Sequence, residues 1–226
     1  AFFLARLAIT GVIGVPDTFA FDNPLVAVGA GTRLATALVV VGKGVALLAA
    51  PLTMSPDYSF DAIPVVRSAM DPRLWGIVAS LGLIVWSLTL SRARRSVLPL
   101  ALSWYGLTLL PASNLLVAVG TIFGERLLFL PSVAFCLVAG AGISWASTRS
   151  PRSTVLAMTI LVSALSVQTV LYSGAWTDDI ALFEWATKSV PRSTKAHHKL
   201  GEEYLRAGRL GDALRSLAQA LRIAPD

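Results

Sequence analysis

Charge is what this chain has least of. Only 14% of its 226 residues are Asp, Glu, Lys or Arg, where a soluble domain carries about 25%. Residues 96–124 hold none of the four, and neither do residues 127–148. With 55% hydrophobic residues and a mean hydropathy of +0.69, this deficit puts most of the chain in a membrane. Cysteine is nearly missing too. Cys136 stands alone, which excludes a disulfide framework or a Cys-rich metal site within the chain, and its apolar setting predicts a buried structural thiol. Histidine is confined to His197 and His198. Adjacent helical residues point about 100° apart and no further ligand stands at metal spacing, so no metal is expected and His197 reads as packing. The net charge of +6 does not indicate nucleic acid, because the arginines gather in short loops and form no face or stripe. At the start, AFFLARLAIT has no charged n-region followed by a small-residue cleavage site. It reads as the tail of an apolar segment, and the chain as an internal piece of a longer protein.

What is there is a series of apolar segments. Residues 1–14, apolar but for Arg6, are too short alone to cross a core about 30 Å thick. After the turn-rich VPDTFAFDNPL, residues 34–50 form a helix candidate with Arg33 before it, Lys43 near its middle and Pro51 after it. This segment either spans or lies along the interface. Residues 52–73 are a polar loop, and spans are predicted near 74–91, 97–113, 127–148 and 153–173. The second is punctuated by Pro99 and Pro111 and runs on through SNLLVAVGTIF, which fits a spanning helix followed by a re-entrant or interfacial stretch. Arginines in SRARRS (91–96) and STRSPRS (147–153) predict that these loops are cytoplasmic. The loops 52–73 and 114–126, and everything after 173, then fall on the extracytosolic side.

Composition shifts at residue 174. A junction with half a repeat (174–193) leads into TKAHHKLGEEYLRAGRLGDALRSLAQALRIAPD (194–226). That stretch resembles a tetratricopeptide repeat. Leu200, Gly201 and Tyr204 match the first helix, Gly208 the turn, and Ala213, Leu217, Ala220 and Pro225 the second helix and its end. Leu210, Ala213, Leu214, Leu217 and Leu221 recur at helical spacing. The predicted fold class is therefore all-α, a partial membrane domain over residues 1–173 followed by repeat hairpins. One and a half repeats do not bury their own faces, so further repeats are expected.

Three strings carry a wider resemblance: FDNPL…TRLATALVVVGKGVALLAAPLTMSPDYS (21–59), PASNLLVAVGTIFGERLLFLPSVAFCL (111–137), and the junction running from Trp176 through KAHHKLG to Gly201. Together they resemble the transmembrane and tetratricopeptide-repeat-containing (TMTC) O-mannosyltransferases and their bacterial relatives. The resemblance implies a multi-spanning core of the C-superfamily glycosyltransferase fold. It also implies transfer of mannose from a polyprenyl-phosphate carrier to protein Ser or Thr on the extracytosolic face, with the acceptor protein bound through the repeats. No cofactor or metal is implied. The family's acidic base lies in a first extracytosolic loop near the N-terminus. Nothing in residues 1–14 corresponds to it, so the catalytic residue is unknown and expected outside this chain.

Hydroxyl attack on a sugar phosphate needs cations for the departing lipid phosphate and groups that hold the sugar. Arg126 is placed by the span order at the outer interface, where its fork suits phosphate oxygens; Arg33 and Lys43 are further phosphate candidates. Glu125 is expected to orient Arg126 or to contact the sugar. Its bland alternative is a helix-end charge in the first turn of the following helix. Asp57 and Tyr58, in PDYS, are candidates for touching sugar or acceptor, against ordinary turn chemistry for Asp57. Asp22-Asn23-Pro24 reads as a turn. The rival function is a non-catalytic membrane-anchored repeat scaffold; a transporter would need an internal pseudo-symmetry that the segments lack. Fifteen Arg against four Lys favour a bacterial inner membrane, with periplasmic repeats, over the endoplasmic reticulum.

Overall fold

The computed structural model describes residues 22–89 and 97–224. The segment 1–14, the SRARRS loop and Pro225 lie outside the described residues. Within them the chain forms eight α-helices and four short 3₁₀ turns, with no strand.

Helix α1 (Ala30–Ala49) is followed by an irregular loop and α2 (Pro72–Thr89). Its 20 residues rise about 30 Å, the thickness of a bilayer core. Proline placement sets several ends. Pro99 lies in the first turn of α3 (Leu98–Leu109), where its missing N–H costs nothing. Pro111 closes that helix, which tightens into the 3₁₀ turn Leu110–Ala112. Pro151 opens α5 (Pro151–Ser173). The expected span at 127–148 starts later than its apolar run. Glu125–Leu128 is a 3₁₀ turn, and α4 begins after the buried Pro131, covering Ser132–Arg149. Glu125 and Arg126 therefore sit on a separate turn and not in the first turn of the following helix.

Among the described residues two helices, Ala30–Ala49 and Pro151–Trp176 counting the 3₁₀ turn that extends α5, are long and apolar enough to cross a membrane. No residue of α5 itself is buried against protein, the exposure that suits an apolar helix in lipid and not one in a water-soluble fold. Cys136 corrects an expectation. It is exposed on α4, because in a membrane helix an apolar neighbourhood marks the lipid-facing side as readily as the protein core.

The protein core lies at the end of the helices away from the α4–α5 turn. Leu25, Val40, Leu47, Tyr58, Ile63, Leu109, Ile122, Phe123, Leu128 and Val190 form one buried cluster, drawn from α1, α3, the three irregular segments around them and, through Val190, the C-terminal part. Two asparagines organise it. Asn114 has a positive φ of 59°, a conformation Asn tolerates. Its Oδ1 accepts from Asn23 Nδ2 at 2.7 Å and from the Val119 N–H at 2.9 Å, while its Nδ2 donates to the carbonyls of Thr121 and Ile122. Asn23 is fully buried and its Oδ1 caps the turn Pro24–Val26. The segment 113–123 is thus an internally bonded loop with Ser113, Asn114, Ala118, Ile122 and Phe123 buried.

The C-terminal part comprises α6 (Asp179–Ser189), α7 (Thr194–Arg206) and α8 (Leu210–Ile223). Helix α7 packs on both α6 and α8, around Leu200, Tyr204 and Ala213 with Phe183 and Ile180 against them. Gly208 turns the chain between α7 and α8 with a φ of +73°, a region that costs glycine little. The face of α8 turned to α7 carries small residues, Ala213, Ser216 and Ala220. Leu210, Leu214 and Leu221, which recur with Ala213 and Leu217 at helical spacing, are exposed. Small side chains allow the helix approach, and the leucines flank that line.

Candidate functional site

A cleft of about 550 Å3 opens beside the core, where segment 55–59, segment 120–126, the end of α5 with Trp176, and helices α6 and α7 meet. Of the six residues singled out from sequence, four line it: Asp57, Tyr58, Glu125 and Arg126. Arg33 and Lys43 do not. Ten residues apart on one continuous helix, these two stand about 15 Å apart along its axis. Lys43 reaches the site from beneath, its Nζ 5.0 Å from the centroid of the Tyr58 ring. Arg33 is elsewhere on α1, with a buried Nε that has no hydrogen-bond partner among the described residues.

Glu125 is the hub. Its Oε1 accepts from the Ser55 N–H at 2.7 Å and from the Tyr58 hydroxyl at 2.7 Å; Oε2 receives no hydrogen bond among the described residues. The Tyr58 hydroxyl also approaches the Thr53 carbonyl at 3.1 Å, and its ring meets Phe123 edge-on at 5.0 Å. Burial pushes the Glu125 carboxyl above its ordinary range, while the bonds from Tyr58 and Ser55 and the charge of Lys43 pull the other way. Burial and the Glu125 partner likewise raise the Tyr58 phenol, so Tyr58 stays protonated and serves as a donor.

Arg126 differs from its neighbour. It is exposed and makes no ion pair among the described residues. The other cations lining the cleft, Lys195 and Lys199, pair with Asp22 at 2.6 Å and Glu202 at 2.7 Å. Glu125 therefore does not orient Arg126 by a salt bridge; its carboxylate is turned to the 53–58 loop. The far wall is aromatic. Tyr172 stands 6.2 Å from Trp176 and 5.5 Å from Trp185, ring centre to ring centre. Trp185 Nε1 donates to the Met54 carbonyl at 2.9 Å.

Asp57 is bound within the protein. Its Oδ2 accepts from the Ser59 N–H, the Ser59 hydroxyl and the Ser193 hydroxyl. Sequence reasoning passed over Ser59, Ser193, Asn114 and the aromatic wall. Ser193 did carry a local signal, a Ser placed two residues after Pro191 and just before a helical pattern, which is N-cap chemistry. Asn114 and Trp176 stood inside strings that carry the family resemblance, with no local signal of a place at the site. His197 meets the Pro191 carbonyl at 3.0 Å through Nε2. A shallower apolar groove of about 640 Å3 adjoins the cleft along α7 and α8.

The site residues fall within stretches that match known proteins. The family model described as "Protein O-mannosyl-transferase TMTC, DUF1736" matches residues 14–85. Protein O-mannosyl-transferase Tmtc2 of Drosophila melanogaster is 38% identical over 58% of this chain. Human Protein O-mannosyl-transferase TMTC4 is 31% identical over 75% of it, and Drosophila melanogaster Tmtc3 is 27% identical over 99%. The aligned part is 14%, 24% and 26% of these relatives' own lengths, so the chain spans about a quarter or less of them. No solved structure matches it. The chain belongs to the TMTC family, whose curated members carry the name protein O-mannosyl-transferase.

Proposed function

We propose that this chain forms part of a membrane glycosyltransferase that moves a sugar, mannose by family, from a polyprenyl-phosphate carrier to Ser or Thr of a protein. The transfer takes place on the extracytosolic side. The observation that carries the proposal is the contrast within one dipeptide. Among the described residues, Glu125 is anchored through one oxygen with the other unbonded, and Arg126 beside it is exposed and makes no ion pair on the same cleft. Arg126 is the phosphate ligand, able to grip two oxygens at once, and Lys43 adds positive potential beneath. Glu125 offers Oε2 to a sugar hydroxyl, and Tyr58 holds that carboxylate in place. The cleft lies at the ends of apolar helices, the depth at which a lipid phosphate presents its headgroup.

Helices α7 and α8 are the first tetratricopeptide repeat of an acceptor-binding array. Supporting this is the close approach at Gly201, where an added Cβ would stand 2.6 Å from Leu217 Cγ. The compartment proposed is a bacterial periplasm. The test is Arg126→Ala in the full-length protein. Transfer of labelled sugar falls nearly to background while membrane insertion is normal. Undiminished transfer overturns the assignment, and absence of transfer by the unmutated protein favours the scaffold reading.

A further inference from the structure

Segment 55–61 is held at two ends. At one, Ser55 and Tyr58 grip Glu125, each at 2.7 Å. At the other, the segment is tied to the start of α7. The Ser193 hydroxyl donates to Asp57 Oδ2 at 2.7 Å, accepts from the Ala196 N–H at 3.1 Å as the helix N-cap, and lies 3.2 Å from the Ser59 hydroxyl. Backbone bonds flank this knot: the Asp61 N–H donates to the Arg192 carbonyl at 2.7 Å, and the Thr194 N–H to the Phe60 carbonyl at 2.6 Å. The Asp61–Arg192 ion pair closes it. Ser193 and Ser59 are 0% and 3% exposed, so water does not compete for these bonds. Inside the segment, the Ser55 hydroxyl donates to the Asp57 carbonyl at 2.9 Å, linking the two ends within three residues.

We propose that Asp57 and Ser193 are a latch through which the C-terminal helices position Glu125 on the cleft wall. Both are then positioning residues, and neither touches substrate. A half-buried carboxylate accepting three bonds, two of them from the hydroxyls of buried serines, is a stiff joint. Removing the Ser193 hydroxyl also strips the cap from α7. Loosening at residue 193 therefore reaches Ser55 and Tyr58 through a segment too short to absorb it. The proposal rests on the functional reading above only for the claim that the cleft is the transfer site.

The experiment uses the full-length protein in nanodiscs, with hydrogen exchange and sugar transfer measured side by side. In Ser193→Ala, amides of residues 55–61 exchange about five- to ten-fold faster, the loss expected for one cap and its bonds, while α4 exchanges as before. Transfer falls by a similar factor. Asp57→Asn gives the same pattern, and the double variant is no worse than the poorer single one, as for two partners of one interaction. Unchanged exchange at 55–61 in Ser193→Ala overturns the latch, whatever transfer does. Faster exchange with full transfer overturns its positioning role. Additive losses in the double variant show Asp57 acting on substrate by itself and overturn it too. If Arg126→Ala transfers undiminished, the functional reading falls while the exchange measurement still decides the latch.

Discussion

The Tyr58 hydroxyl and Glu125 Oε1 lie 2.7 Å apart across 67 residues of sequence. This bond favours the ionised carboxylate, and burial disfavours it more. The folded state therefore binds a proton on Glu125 at pH values where the unfolded chain, with an ordinary carboxyl near about 4.3, has lost it. Stability contributed by this group is greatest below the unfolded pKa and declines as pH rises toward the folded one. Glu125→Gln removes that slope. Tyr58→Phe removes a bond that favours ionisation, so the decline extends to higher pH than in the unmutated protein. Thermal unfolding in detergent, followed from about pH 4 to pH 8, measures both. Curves for Glu125→Gln and the unmutated protein that run parallel would falsify the account.

Thr36 is a second long-range link. It is fully buried on α1, donates to the Thr32 carbonyl at 2.8 Å and accepts from the Val66 N–H at 2.9 Å. Thr36→Val keeps the shape and deletes the acceptor, leaving a buried N–H unpaired, and destabilises by about 1–3 kcal/mol. Thr36→Ser retains the hydroxyl and costs less than that. The unfolding midpoints of the two variants give the ranking, and a Val variant as stable as the Ser variant would count against it.

At Gly201 the prediction concerns size. The Leu217 side chain occupies the space a Cβ would need, so Gly201→Val overpacks the α7–α8 pair and costs about 1–3 kcal/mol. Gly201→Ala falls between, since a gain of about 1 kcal/mol in helix propensity offsets part of the clash. Adding Leu217→Ala to the Val variant recovers most of the loss. A double variant that simply sums two losses would show that the close approach is not the cause.

The helices were legible because their signals are local. Apolar runs gave helices whose ends moved by a few residues, and Pro51, Pro111 and Gly208 marked boundaries that the structure keeps. Helix α4 starts later than the apolar run does, and the sequence does not mark the place because LLFLPSVAFCL is apolar on both sides of Pro131-Ser132. The site was legible only in part. Glu125 and Arg126 stood out as charges in an uncharged stretch, and both line the cleft. The partners of Glu125 were not readable, since they lie 67 and 70 residues away in Tyr58 and Ser55 and no periodicity reports on that. Asp57 looked like turn chemistry or a ligand group. Its bond to Ser193, 136 residues on, has no local trace. Arg33 and Lys43 were grouped by charge sign, whereas helix geometry separates them.

The span between Asp57 and Ser193 also sets a clock. Chains are made at about 5–20 residues per second, so a stretch of 136 residues takes roughly 7–27 seconds to synthesise. For that interval the loop carrying Tyr58 exists without the partner that ties it down. Glu125 appears about halfway through, when the Ser193 hydroxyl has still to be made. Each nascent molecule thus has its cleft wall half held for several seconds, and closes it only when the first residues of α7 emerge.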